Sequence, residues 1–258
     1  MRNTIAVAGI VIKELYRRKD FYVLFIVTIL ICLVMASINI YNDANVVRYI
    51  KEICLDLIWV CTLVVAVTTT ARQIPAEREN RTLLPLLAKP LTRVELILGK
   101  FLGCWLACGL ALLCFYLFFG ALAASREHHW FLTNYLQAGV MQWFMLGVVV
   151  ALSLLGSLVF AAPSSNATIC FVIIGGILFV GRHLDQEALQ LAEPLRGLVL
   201  CLYFVLPHLE FYDLRDLVVQ NWPPVAWEYI GLALLYAVFY QFVFLIGACL
   251  VFRRKAVN

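Results

Sequence analysis

Few of the 258 residues are placed to do chemistry. Four histidines, nine cysteines and one Gly-Lys pair are the candidates. A phosphate-cradling loop needs GxxxxGK followed by Ser or Thr, so that backbone N–H groups and the lysine converge on the phosphates. At Gly99-Lys100, Val94 stands where the first glycine should be, and Phe101 follows the lysine. The match is false, and the chain is not expected to hydrolyse nucleotide alone. Zinc signatures fare no better: neither HExxH nor CxxC occurs. His128 and His129 are adjacent and so point to different helix faces, while His183 and His208 stand alone. Cys104 and Cys108 share a face at i, i+4, a spacing that suits a soft metal. Almost all the cysteines fall inside apolar runs, however, where free cysteine is an ordinary small buried residue. A disulfide framework would place them in outward loops. The reading is therefore no catalytic, cofactor-binding or metal-ligating residue.

The elements behind these residues are membrane spans. Hydrophobic residues make up 64% of the chain, charged residues only 14%, and the mean hydropathy is +0.91. Several apolar runs reach the length of about 20 residues that crosses a bilayer as helix, and no alternating segments of a transmembrane barrel occur. The fold class is an all-α polytopic membrane protein in one domain, 1–258. Six spans are expected near 21–40, 53–71, 100–124, 138–162, 167–182 and 228–252, with 163–166 as a tight turn between the fourth and fifth. Ahead of them, Ile5, Ala8, Ile12 and Leu15 share one face, which predicts an amphipathic helix over 1–20 in the headgroup region. With the N-terminus inside, fourteen Lys/Arg fall on the inner side and six on the outer side. The positive-inside rule then makes both termini cytoplasmic. Residues 183–227 form a long outer connection. Its apolar part, 195–206, is too short to span, so a re-entrant or interfacial path is expected, with His208, Glu210, Asp213, Arg215 and Asp216 as a polar patch.

Three features remain inside this frame. Asp56 sits one turn into the second span; an acid there either faces water or a bundle interior or reaches the edge of the membrane, and it is read with Trp59 as a pathway position. Gly99 and Gly103, continued by Ala107 and Ala111, make a small-residue row, as do Gly147 and Ala151. Such rows serve packing within the chain or a dimer seam. An apolar cavity with Trp59, Trp105, Phe115 and Trp143 as lining would suit a lipid-like or hydrophobic substrate. The most informative stretch is 74–100, IPAERENRTLLPLLAKPLTRVELILGK, a charged insertion between two spans. Thr82 is placed to cap a short helix, and Pro85 falls in its first turn, where a missing donor costs little. Leu83, Leu86 and Leu87 share its apolar face, and Pro90 stops it. A leucine-faced helix with charged flanks suits a groove on a partner protein.

The run Glu77-Arg78-Glu79-Asn80-Arg81-Thr82-Leu83, then Leu86-Leu87-Ala88-Lys89-Pro90, Arg93 and Gly99-Lys100, resembles the cytoplasmic coupling segment of type-2 ATP-binding-cassette (ABC) transporter permeases. Many members have Gly where Arg81 stands. The likeness extends to the branch associated with multicopper-enzyme maturation, and Pro207-His208-Leu209-Glu210 with Asp213-Leu214-Arg215 resembles that branch's outer segment. The resemblance implies a permease that pairs with a second copy or a related permease in the bacterial inner membrane and docks on cytoplasmic ABC ATPase subunits. ATP and Mg would be bound by those subunits, not by this chain. It implies a coupling loop at 72–99 with ATPase contacts at Glu77, Arg78, Glu79, Arg81, Thr82, Leu83, Leu86, Leu87, Pro90 and Arg93. By the same analogy, Leu202, Phe204, Pro207, Glu210 and Asp213 would form an outer gate for export. The alternative is a non-transporting module that passes ATPase motion to an outer partner protein; it would bind an ATPase yet move nothing across vesicles. An intramembrane enzyme would need paired polar residues at depth. Nothing points to nucleic acid.

Overall fold

The computed structural model describes residues 2–17, 19–37, 44–79, 92–124, 132–160, 162–188, 196–197, 203 and 206–254. The described residues are helical nearly throughout: α1 (Arg2–Tyr16), α2 (Lys19–Ser37), α3 (Ala44–Ala71), α4 (Pro75–Glu79), α5 (Arg93–Ala124), α6 (Leu132–Val159), α7 (Pro163–Ala188), a 3-10 turn (Leu209–Tyr212), α8 (Arg215–Val219) and α9 (Trp227–Arg254). Four stretches among the described residues are long and apolar enough to cross a membrane: Arg48–Glu79, Arg93–Ala121, Leu132–Val159 and Trp227–Arg254. Over a core of 18 residues each of these stretches is apolar and carries at most two charges, as lipid on one face and protein on the other require.

Several boundaries differ from the hydropathy reading, each for a local reason. α5 starts at Arg93, about two turns before the apolar run. Thr92 and Glu95 form a capping box there: Thr92 N–H donates to Glu95 Oε2 at 3.0 Å, and Glu95 N–H donates to Thr92 Oγ1 at 3.2 Å. This satisfies two of the N–H groups that a helix start leaves open. α3 likewise starts upstream, at Ala44. The stretch 163–166 is not the turn between spans but the first turn of α7, because Pro163 has its ring angle preset for that position and no N–H to waste. α6 ends at Val159, just before α7 begins at Pro163. Asn166, expected in that turn, is wholly buried and donates to Ser153 O at 3.2 Å and Ala71 O at 3.4 Å, tying α7 to the ends of α6 and α3.

α6 is the central helix. Met145, Leu146, Val150, Ala151, Leu154 and Leu158 are fully buried, and α3, α5, α7 and α9 all pack around it. α9 packs on it at Gly147, where a Cβ would strike the Gln241 amide; Gln241 Nε2 donates to Phe144 O at 3.2 Å.

The small-residue row on α5 is taken up within the chain. α1 runs beside the first turns of α5 in the same direction, Val7 opposite Gly99 and Val11 opposite Gly103. A Cβ at either glycine would lie 2.7 Å from the facing valine Cβ. The buried stripe of α1 is therefore Val7, Ala8, Val11 and Leu15. Ile5, expected on that stripe, is 70% exposed, and Ile12 is half-buried. The grooves above the two glycines admit β-branched valines and so set the rotation of the helix. Among the described residues, α1, α4 and the start of α5 share one end of the bundle with the C-terminus of α9. Residues 206–226, here called the cap, cover the other.

Candidate functional site

Two clusters of charge sit at the two ends of α3. At the first, Lys100 is only 2% exposed although it carries an ammonium. Its Nζ donates to the Gln73 carbonyl at 3.0 Å and to Glu77 Oε1 at 2.8 Å, with Gln73 Oε1 at 3.4 Å. Gln73 lies in the turn joining α3 to α4. One charge-assisted set of hydrogen bonds thus fastens the end of α3 and the start of α4 to α5.

Nearby, Arg93 Nη1 donates to the carbonyls of Phe252 at 3.1 Å and Arg253 at 3.3 Å, and its guanidinium lies 5.6 Å from the Phe252 ring centroid. It supplies partners for carbonyls that the C-terminus of α9 leaves open. Glu77 and Arg93, both expected to face a partner protein, are thus engaged within the chain. Arg78 is half-buried and Glu79 exposed. Arg81, Thr82, Leu83, Leu86, Leu87 and Pro90, with the helix expected over them, lie outside the described residues.

At the other end, the cap is built into the bundle. Its lowest described contact is Leu206, whose carbonyl accepts from Tyr240 OH at 3.5 Å. Tyr240 is thirteen residues along α9 from Trp227, roughly 20 Å at 1.5 Å per residue. From there the cap climbs beside α9: Tyr236 OH accepts from His208 N–H at 3.2 Å, and Tyr212 OH donates to Ala233 O at 3.0 Å. Pro207 begins this climb and is buried, while Glu210 is half-buried. His208 sits among the rings of Tyr203, Phe211 and Tyr236.

Two buried amides of α6 hold the upper cap. Asn134 Nδ2 donates to Leu217 O and Trp222 O, and Gln137 exchanges two hydrogen bonds with the backbone of Val225. α8 ends in a left-handed residue, Asn221 at φ 52°, and Trp222 N–H returns to Leu217 O at 3.3 Å. Asparagine tolerates that conformation better than most residues. Its Oδ1 also accepts from Lys51 Nζ at 3.3 Å, and Lys51 is buried as it reaches Val218 O.

Arg215 joins two groups that the sequence offered separately. Asp213 grips it from two sides, Oδ1 on Nε at 2.7 Å and Oδ2 on Nη2 at 2.6 Å. Its Nη1 pairs with Asp56 of α3, and its guanidinium lies 4.9 Å from the centroid of Trp59. Burial works against the charge, yet the Asp213 hydrogen bonds and the carboxylates of Asp213, Asp56 and Asp216 hold the Arg215 pKa above its ordinary value. Asp56 and Trp59, expected on a pathway, and Asp213, expected in a gate, thus meet at Arg215. Leu202 and Phe204 lie outside the described residues.

Of the four aromatic residues expected to line an apolar cavity, Trp143 borders one among the described residues. It borders a groove of about 590 Å³ between α5 and α6, together with Leu113, Tyr116, Leu117, Leu136 and Val140. Phe115 is in the core, Trp105 stacks on Trp143 at 4.8 Å, and Trp59 lies under Arg215. Among the described residues no group of three His, Cys, Asp or Glu is arranged to hold a metal ion.

No curated protein matches the sequence. The family model for ABC-2 family transporter proteins matches residues 6–256, nearly the whole chain. With its long apolar helices, charged insertion after α3 and cap folded into the far end of the bundle, the chain belongs to the ABC-2 transporter family, whose members are the membrane-spanning permease components of ABC transporters.

Proposed function

We propose that this chain is the permease subunit of an ABC exporter. It crosses the inner membrane six times with both termini cytoplasmic, and it works with a second permease copy. A separate ATPase subunit binds ATP and docks on the 72–99 segment through the leucine face of Leu83, Leu86 and Leu87 and the charges around it. The substrate moves outward past the cap, where Pro207, Glu210 and Asp213 belong to the gate, and it is lipid-like or hydrophobic.

The observation that carries this reading is the Lys100 joint. The segment following α3 is fastened at its first turn to α5, so a force applied to that segment reaches two membrane helices at once. The concentration of Lys/Arg at this end supports its cytoplasmic placement.

The reading is tested by co-purification from the native cell in mild detergent, with the double variant Leu86→Asp/Leu87→Asp beside the parent. A nucleotide-binding subunit should accompany the parent and be lost from the variant. If no ATPase accompanies the parent, the docking reading fails.

A further inference from the structure

Asp56 is deeper than its surroundings allow if only lipid touches it. α3 carries no charge between Asp56 and Arg72. Arg72 is exposed and marks where α3 leaves the hydrocarbon at the Lys100 end. About 20 residues of helix cover the ~30 Å of bilayer core, which brings the opposite boundary to Glu52 and leaves Asp56 one turn inside it. The aromatic residues agree. Tyr49, Trp227 and Tyr229 are 63%, 56% and 68% exposed at the cap ends of α3 and α9, and Trp and Tyr collect at headgroup level. Asp56 lies seven residues beyond Tyr49, roughly 10 Å toward the membrane interior.

At that depth the Asp56 side chain is 55% exposed. Glu52, one turn above it on the same face, is also exposed, as is Asp216 of the cap. Arg215 cannot neutralise all of these, because Asp213 already holds it with both oxygens. Lys51 is buried and reaches Val218 O and Asn221, and Arg48 is exposed one turn above Glu52. A carboxylate that is 55% exposed one turn inside the boundary is not stable against acyl chains even with Arg215 beside it, and such groups at depth face water.

We propose that the Glu52–Asp56 face of α3 and the Arg215–Asp216 wall of the cap line a water-filled vestibule, open on the cap side and reaching about one helical turn below headgroup level. The vestibule rests on the chain crossing a membrane, and its side of opening rests on the orientation proposed above. It gives an exported molecule a polar surface to meet beside the cap while its apolar part remains in the bundle.

The test uses the full-length chain with its partner subunits in sealed membranes, a charged membrane-impermeant thiol reagent, and peptide mass spectrometry to locate each label among the native cysteines. The internal reference is Cys114, exposed on the apolar face of α5 beside Leu113 and Leu117. Because only a hydrated thiol ionises readily, Asp56→Cys should react with reagent added on the outer side of the membrane at least about ten-fold faster than Cys114. Reaction from the opposite side only would keep the vestibule and overturn the orientation. If Asp56→Cys reacts no faster than Cys114 from either side, the vestibule is overturned. Should that variant fail to fold, hydroxyl-radical footprinting of the unaltered chain decides. Oxidation of Trp59 several-fold faster than Trp143, which borders the apolar groove, supports the vestibule; equal rates overturn it.

Discussion

α3 is held at both ends by a cation between carbonyl or carboxylate oxygens, yet the two attachments are opposite in kind. At the Lys100 end, the side chains of Lys100 and Glu77 are 2% and 23% exposed. At the cap end, those of Arg215 and Asp56 are 24% and 55% exposed. Burial decides what each can do. Opening the first would strand an ammonium away from water, a cost far above the worth of any one hydrogen bond. Opening the contact with Asp56 only exchanges one polar neighbour for another, since that carboxylate already faces outward. The first therefore behaves as a joint that moves as a unit, and the second as a contact that can be remade. The exporter proposed above, driven at the Lys100 end and opening at the cap, would need both properties, in that order.

Three experiments would break or sharpen this contrast. The largest effect is expected at the joint. Lys100→Met removes the cation but leaves Glu77 and the Gln73 carbonyl without it, and should cost about 3 kcal/mol. Thermal unfolding of the purified chain in nanodiscs reads this as the steepest fall in midpoint of the three variants. A fall no larger than that of a surface substitution would show that the joint is not load-carrying. Arg215→Gln is intermediate. It deprives Asp213 of its two-sided partner and Trp59 of its stacked cation, and should cost about 1.5 kcal/mol. Hydrogen exchange should speed up across 206–220 while the helix start at Thr92–Leu96 keeps its protection; uniform acceleration would mean that the cap is not a separable unit.

The smallest effect is at Asp56. Asp56→Asn should cost about 0.5 kcal/mol at low salt, and this difference from the parent should vanish near ~0.5 M salt, where screening reaches only a few ångströms. The Lys100→Met difference should persist at that salt, because a buried pair is shielded from mobile ions. Equal salt sensitivity at the two ends would erase the distinction.

Much of this was legible along the chain because it depends on neighbours in sequence. The apolar runs located the long helices to within a few residues at most ends. The exceptions, the early starts of α3, α5 and α6 and the late end of α7, lie where polar residues extend a helix past the hydrocarbon. For α5 the signal was present as Thr92-x-x-Glu95. Pro163 carried the same kind of local information for α7. Of the candidate site, the sequence showed Asp56 as an anomalous acid, Asp213 as part of a polar patch, and Glu77 and Lys100 as members of the charged insertion. It did not show that Asp56 and Arg215 meet, since 159 positions separate them and no periodicity reaches that far. Nor could it show that Arg93 turns back onto α9, because a basic residue at a loop's end reads the same whether it faces a partner or its own chain.

What the sequence determined by itself was a helical membrane protein with an amphipathic first helix, a small-residue row on α5 and a charged insertion after α3. Composition and spacing fix these because hydrocarbon excludes charge, and a helix repeats its faces every three to four residues. The tertiary structure alone decided the partner of each feature. The Gly99–Gly103 row receives Val7 and Val11 of the same chain, Lys100 closes on α4, and Arg215 bridges the cap to α3. Small residues and charges state a requirement for a close neighbour or an opposite charge. Which neighbour meets it depends on how the helices pack, and that is a property of the whole bundle.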